Sequence, residues 1–397
     1  MLVDNNYHLS YCTNIHPGEN WERTLESLKS YVPRIKAEVS PDRPFGIGLR
    51  LSNTASEELT KGYILEHFKK WLDENNLYVF TMNGFPYGNF HNQRVKEEVH
   101  APDWTTEERL RYTNRLFDQL AFLLPEGMSG GISTSPISYK HWHNSFGALD
   151  LAFTLGAEHL VQVVVHLWEV EERTGKHLHL DIEPEPDGLL ENSDEVIHFF
   201  ENYLIPMAKV ILAREQGIDG DRAQSMVLRY IAVCYDVCHF SLAYEEPGIT
   251  FKKLANHGIQ VGKIQVSAAL KIIFDADNKG KIWEALAEFN EPTYLHQVTE
   301  KIGDEVRTYS DLPVVLEEKR DFKELRAHFH VPIFLDRFGL LQSTQDQILK
   351  VIAYLKDYKI TDQLEIETYT WDVLPPDLKA PLDRSIIREI QWLKNKL

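Results

Sequence analysis

Cysteine is scarce in this chain. Cys12, Cys234 and Cys238 are the only three in 397 residues. Too few and odd in number for a disulfide framework, they predict a reducing compartment. Cys234 and Cys238 lack the spacing of a redox or zinc pair and read as buried thiols. Positive charge is also short: 42 Lys and Arg stand against 60 Asp and Glu, for a net charge of −18 and a pI near 5.4. With no basic run, the chain lacks the positive field that a phosphate backbone requires, and no nucleic-acid partner is expected. The first turn, TNIHPGENW, has no Gly-x-Gly-x-x-Gly, and no P-loop follows. The N-terminal stretch MLVDNNYHLSYC lacks a basic segment leading into an apolar core, which argues against a secretory signal. No apolar run is expected to reach the ~20 residues of a membrane span. A cytoplasmic protein with a small-molecule partner is the expectation.

What the chain does have is alternation. β-rich apolar runs begin at Tyr7 (YHLSYCTN), Phe45 (FGIGLRLS), Leu77 (LYVFTMNG), Gly130 (GGISTSPIS), His177 (HLHLDIE), Ile231 (IAVCYDVCHF), Val261 (VGKIQVSAAL) and Leu364 (LEIETYTW). Between them lie stretches whose apolar residues recur at three and four, such as NWERTLESLKSYVPRI, ASEELTKGYILEHFKKWLDEN and TEERLRYTNRLFDQLAFLLP. Ser56 before Glu57 and Glu58, and Thr105–Thr106 before Glu107 and Glu108, read as helix starts. Eight strand–helix units predict one α/β domain over 1–397, a single (β/α)₈ TIM barrel, rather than a doubly wound sheet. The gap before the eighth strand is too long for one connection. It predicts an insertion between the seventh and eighth strands, at about 271–363, with a hairpin around Gly303 and a strand-like run, RAHFHVPIF.

In such a barrel the C-terminal strand ends face the mouth, where loops build the site. Glu183 ends its apolar run, and Pro184 and Pro186 then stop the ladder. Capping of the next helix, or an arginine partner, would be the plain explanation of that carboxylate. Asp236 ends the sixth run with His239 one turn later, and Gln265 and Glu367 hold the corresponding points on the seventh and eighth. Like charges brought together there repel unless a cation lies between them. Oxygen-rich donors with few nitrogens suit Mn²⁺ or Mg²⁺, and Zn²⁺ less well. No Gly-x-Ser-x-Gly nucleophile elbow is expected, and the cysteines have no partner histidine at a diagnostic spacing.

Glu, then Asp with His, then an amide, then Glu on the last four strands resembles the xylose isomerase-like TIM-barrel superfamily. The longer phrases YHLSYCTNIHPGENW, FTMNGFPYGNFH…VKEEVHAPDW, HLDIEPEPDG, CYDVCH, IQVSAAL and HFHVPIF resemble more closely the EboE family, the TIM-barrel member of the Ebo metabolite-traffic cluster, nearly end to end. The resemblance implies a divalent metal held by Glu183, Asp236, Gln265 and Glu367. It implies that Glu183 and Glu367 also move the proton, and that His239 contacts substrate. Histidine is usual in that superfamily where this chain has Gln265, a neutral and weaker donor; the glutamine also reads as a satisfied buried amide.

The loop NGFPYGNFHNQRVKEEVHAPDW offers Asn83, Tyr87, His91, Lys96 and Trp104 as substrate contacts, or as an ordinary packed loop. Lys140–Asn144, KHWHN, is a weaker candidate. In the insertion, His328 and His330 are two apart, so both rings should point one way. One of them is expected over the mouth, where it would supply the nitrogen that Gln265 cannot, on the metal or on the substrate. His296 and Asp311 could meet the pair, and bonding to carbonyls within the insertion is the structural alternative. The function these features imply is that of a metal-dependent isomerase or epimerase of a sugar or polyol-like metabolite, working beside a carbonyl. The alternatives are a non-catalytic metabolite-binding or traffic protein on the same barrel and, less favoured, an AP endonuclease-like phosphodiesterase.

Overall fold

A computed structural model describes residues 1–4, 6–88, 96–371, 374 and 379–397. Its centre is a ring of strands, β1 Tyr7–Tyr11, β2 Phe45–Arg50, β3 Leu77–Asn83, β4 Gly130–Thr134, β5 Leu178–Ile182, β6 Ile231–Asp236, β7 Val261–Val266 and β8 Gln363–Ile366. All run parallel, each paired with the next in the ring from β2 round to β8, and β8 pairs with β1. Both faces of these strands are covered, by helices outside and by each other inside, which is why they read as unbroken apolar runs.

The last seam, between β1 and β2, is closed by a bridge of Cys12 to Gly48. The Ser10 hydroxyl reinforces it, donating to Gly46 O at 2.8 Å and accepting from Gly48 N at 2.9 Å. Gly48 is needed for a further reason: a side-chain carbon there would collide with Glu365 Oε1, which reaches across the interior.

Helix starts follow capping chemistry. Thr106 caps Glu107–Leu123 by accepting from Arg109 N. Ser52, rather than Ser56, caps Asn53–Leu59; Ser56 lies inside that helix and donates back to Asn53 O. The long helical pattern after it breaks at Thr60–Lys61–Gly62, where Gly62 takes φ +56°, and resumes as Ile64–Glu74. Two helices, Phe146–Thr174 and Ser193–Gln216, are long and apolar enough to cross a membrane by length and composition, contrary to the sequence expectation. Both pack on the barrel, with Ala157, Leu160, Val164 and Phe199 fully buried.

Between β7 and β8 the chain builds a second, antiparallel six-stranded sheet from Leu270–Ile273, Val298–Ile302, Glu305–Tyr309, Glu324–Ala327, Arg337–Phe338 and Leu341–Ser343. Its hairpin turns at Gly303, with Ile302 opposite Glu305. The expected strand through HFHVPIF ends early, because ladder pairing stops at Ala327. His328 and His330 lie in the irregular segment that follows.

Candidate functional site

Glu183, Asp236 and Glu367 meet at the C-terminal ends of β5, β6 and β8, with one donor atom from each within 4.8 Å of the others. All three are buried, at 2%, 0% and 4% exposure. Each strand end holds its carboxylate differently. Asp236 caps the short helix Val237–Leu242; its Oδ1 accepts from His239 N at 3.0 Å and from the Ser267 hydroxyl at 2.7 Å. Glu367 Oε1 accepts from Asn14 Nδ2 and Asn83 Nδ2, both at 2.8 Å. Glu183 follows β5 with its backbone N–H still bonded to Thr134 O. What remains is unused: Asp236 Oδ2 and Glu183 Oε2 have no hydrogen-bond partner.

Such atoms are costly to bury. Burial, then the charges of Glu367 and Asp236, push the Glu183 carboxyl well above its ordinary range. Burial, then Asp236 and Glu365, do the same to Glu367. Lys263, whose charge acts on both carboxyls in the opposite sense, is engaged with Glu365 at 2.8 Å.

Histidines close the other side. His330 donates Nδ1–H to Glu367 O at 2.8 Å, which leaves Nε2 bare, and that atom has no partner. A donor atom of His330 lies within 4.8 Å of one from Asp236 and one from His239. His239 bonds through Nδ1 to Pro184 O at 3.0 Å, and its Nε2 faces His328 Nε2 at 3.0 Å. Burial, first of all, holds the three rings below the ordinary histidine range, so they are neutral lone-pair donors at pH 7. Orphaned carboxylate oxygens, a bare imidazole nitrogen and an oxygen-rich donor set fit a divalent cation.

The other sequence candidates divide. Gln265 lies on β7 beside Asp236 in register; its Oε1 accepts the Cys234 thiol at 2.9 Å, and its Nε2 has no partner. Asn83 lines the cavity and steadies Glu367. His91 lies outside the described residues. Trp104 is core, its Nε1 donating to the Thr134 hydroxyl, and Tyr87 packs against Tyr112. Lys96 pairs with Asp311 at the cavity edge. His141 and His143 engage Asp187 and Ser138. His296 supports the segment from behind, bonded to His328 O.

Sequence reasoning passed over Glu185, Asn14, His100 and Gln297, which line the same cavity. Glu185 had a legible signal: it stands two residues after Glu183, between two prolines. Gly127–Gly131, GMSGG, does have Gly-x-Ser-x-Gly spacing, but Ser129 precedes β4 at the opposite end of the barrel. It enters a strand instead of leaving one for a helix, so it is not a nucleophile elbow.

No family model and no curated protein matches the chain. Solved structures do. A xylose isomerase-like TIM-barrel protein from Mycobacterium smegmatis, solved in complex with magnesium, aligns with a TM-score of 0.53 at 10% identity, over 100% of this chain and 98% of that one. A D-allulose 3-epimerase from Methylomonas sp. aligns with a TM-score of 0.50 at 11% identity, over 100% of both chains. At these identities the likeness is one of fold alone, that of a TIM barrel.

Proposed function

We propose that the protein is a divalent-metal-dependent isomerase or epimerase of a sugar or polyol-like metabolite. The observation that carries this reading is the triad Glu183, Asp236 and Glu367, buried together with Glu183 Oε2 and Asp236 Oδ2 satisfied by no described residue. These three would hold the ion, with His330 Nε2 as the nitrogen donor in place of Gln265. A bound ion supplies Lewis-acid polarisation of a substrate carbonyl and its neighbouring hydroxyl. Glu183 follows β5 and Glu367 follows β8, so they would approach a substrate from different strand ends, one taking a proton from the carbon beside the carbonyl while the other returns it. Asn14 and Asn83 fix Glu367, and His239 lies beside Glu183, with Nδ1 3.7 Å from Oε1. The fold likeness to an epimerase and to a magnesium-bound barrel is consistent with this chemistry.

A second reading, a metabolite-binding or traffic protein in keeping with the EboE resemblance, is favoured by one feature. Gln265 stands where that superfamily usually has histidine, and its carbonyl is already engaged by a thiol. The two readings differ in proton exchange. Metal-loaded protein incubated in D₂O with a set of ketoses, polyols and aldoses should place deuterium on the carbon next to the carbonyl of at least one of them. Tight binding without any wash-in would support the binder and overturn the isomerase.

A further inference from the structure

The C-terminal helix, Leu382–Lys394, buries Ile386, Ile390 and Leu393 and, among them, Glu389. Glu389 is the one charged residue on the helix's buried side, at 1% exposure. A buried carboxyl costs stability unless its oxygens are bonded, so an apolar residue would suit a plain core position better. Among the described residues no lysine or arginine joins it. Its bonds run elsewhere: Glu389 Oε1 accepts from Ile333 N at 3.2 Å and from the Thr368 hydroxyl at 2.8 Å. Burial pushes the carboxyl up to about 8, so at pH 7 it is mainly the neutral acid.

Both donors belong to the stretches that carry Glu367 and His330. Thr368 follows Glu367 directly, and Ile333 is three residues beyond His330. The two stretches also meet where His330 Nδ1–H donates to Glu367 O at 2.8 Å, and where the Thr370 hydroxyl donates to His330 O. Each is laid against the end of β7 as well, Glu367 N donating to Val266 O at 3.2 Å and Val331 N to Ala268 O at 3.0 Å. Glu389 adds a third element to this frame, and one of its oxygens holds both stretches at once. Without it the Ile333 N–H and the Thr368 hydroxyl would be buried with no acceptor, and the stretches would be free to part.

We propose that Glu389 is a positioning residue of the metal centre, setting the distance between Glu367 and His330 Nε2 through its bridge from Thr368 to Ile333. This rests on the metal reading above and adds the C-terminal helix to the elements that build the site. Glu389 touches neither ion nor substrate; it acts through the residues that present the ligands, as outer contacts do around bound metals. Because Oε1 serves only as an acceptor, an amide oxygen can replace it, and an apolar side chain of similar size cannot. A residue that only filled the core would show the opposite order. Leucine would suit that place, whereas an amide brings two N–H donors that need acceptors.

Cobalt binding tests this, because the visible bands of Co²⁺ report the number and arrangement of its donors. Wild type, Glu389→Gln, Glu389→Leu and Thr368→Val are freed of metal, checked for folding by circular dichroism and titrated with Co²⁺. Glu389→Gln should keep the wild-type bands and affinity. Glu389→Leu should bind about 10–100-fold more weakly, with altered bands. Thr368→Val removes one of the two bonds and should fall between them. Wild-type bands and affinity in folded Glu389→Leu and Thr368→Val overturn the positioning role and leave the metal centre standing; if Glu389→Leu does not fold, Thr368→Val decides alone. Equal weakening in Glu389→Gln and Glu389→Leu also overturns it, since the amide still offers the acceptor. No cobalt in wild type overturns the metal centre, and the positioning role with it.

Discussion

Lys263 Nζ lies 2.8 Å from Glu365 Oε2 at the centre of the barrel, with both side chains wholly buried. The ammonium also donates to Ser133 Oγ at 3.0 Å and to Met82 O at 3.2 Å, which uses all three of its donors. Burial opposes the charge, but Glu365 outweighs it and holds the Lys263 pKa above its ordinary value. This layer is balanced. The layer above has three carboxylates converging and, among the described residues, no lysine or arginine joined to them, which is the contrast that calls for an ion.

Breaking the balanced pair should be expensive. Lys263→Met leaves Glu365 as a lone buried charge and should cost about 3–5 kcal/mol. The double variant Lys263→Met/Glu365→Met should recover most of that loss. Urea denaturation of both variants checks the pair, and a single variant as stable as wild type would contradict the assignment.

The triad predicts a graded set of metal affinities. Glu183→Gln removes one charge and almost no volume, so it should keep the fold and weaken Mn²⁺ binding by more than about tenfold, or about 1.4 kcal/mol. Asn14→Ala and Asn83→Ala remove the amides that hold Glu367 Oε1, and each should weaken binding by about 10–100-fold. Calorimetric titration ranks all three. Wild-type affinity in Glu183→Gln would exclude that residue as a ligand.

The raised carboxyls set the sign of the pH dependence. In metal-free protein Glu183 and Glu367 have folded pKa values above the 4.5 of a free glutamate. The folded state therefore binds more protons than the unfolded state once pH exceeds that value, and stability falls as pH rises. A bound divalent ion favours the ionised form and reverses the trend. Relative to Glu183→Gln, in which the buried histidines still oppose protonation, wild type should lose melting temperature from pH 5 to pH 8 without metal, and the gain on adding Mn²⁺ should grow with pH. A gain that is largest at pH 5 would contradict this.

The barrel was legible because parallel strands buried on both faces have to be apolar runs, and all eight from Tyr7 to Ile366 stood out as such. The strand-end carboxylates were legible through the same geometry. His328 and His330 were placed on a strand because their spacing matched one, but Ala327 is the last residue with ladder partners. Glu185, Asn14 and Gln297 escaped notice because their part depends on contacts between distant segments. The His239–His328 contact, for example, joins residues 89 apart in the chain, and no local pattern encodes it.

The charge balance predicts no affinity for nucleic acid. With a net charge of −18, binding to duplex DNA at physiological salt should be undetectable by fluorescence anisotropy. Micromolar binding with a steep salt dependence would revive the phosphodiesterase alternative.

The central claim is that Glu183, Asp236 and Glu367 hold a divalent ion. Diffraction from crystals of Mn²⁺-loaded protein, recorded on both sides of the manganese absorption edge, tests it most directly. The account predicts an anomalous peak within bonding distance of all three carboxylates, with His330 Nε2 turned towards it. A map with no peak there, and ordered water or a lysine or arginine side chain satisfying Glu183 Oε2 and Asp236 Oδ2, would contradict it.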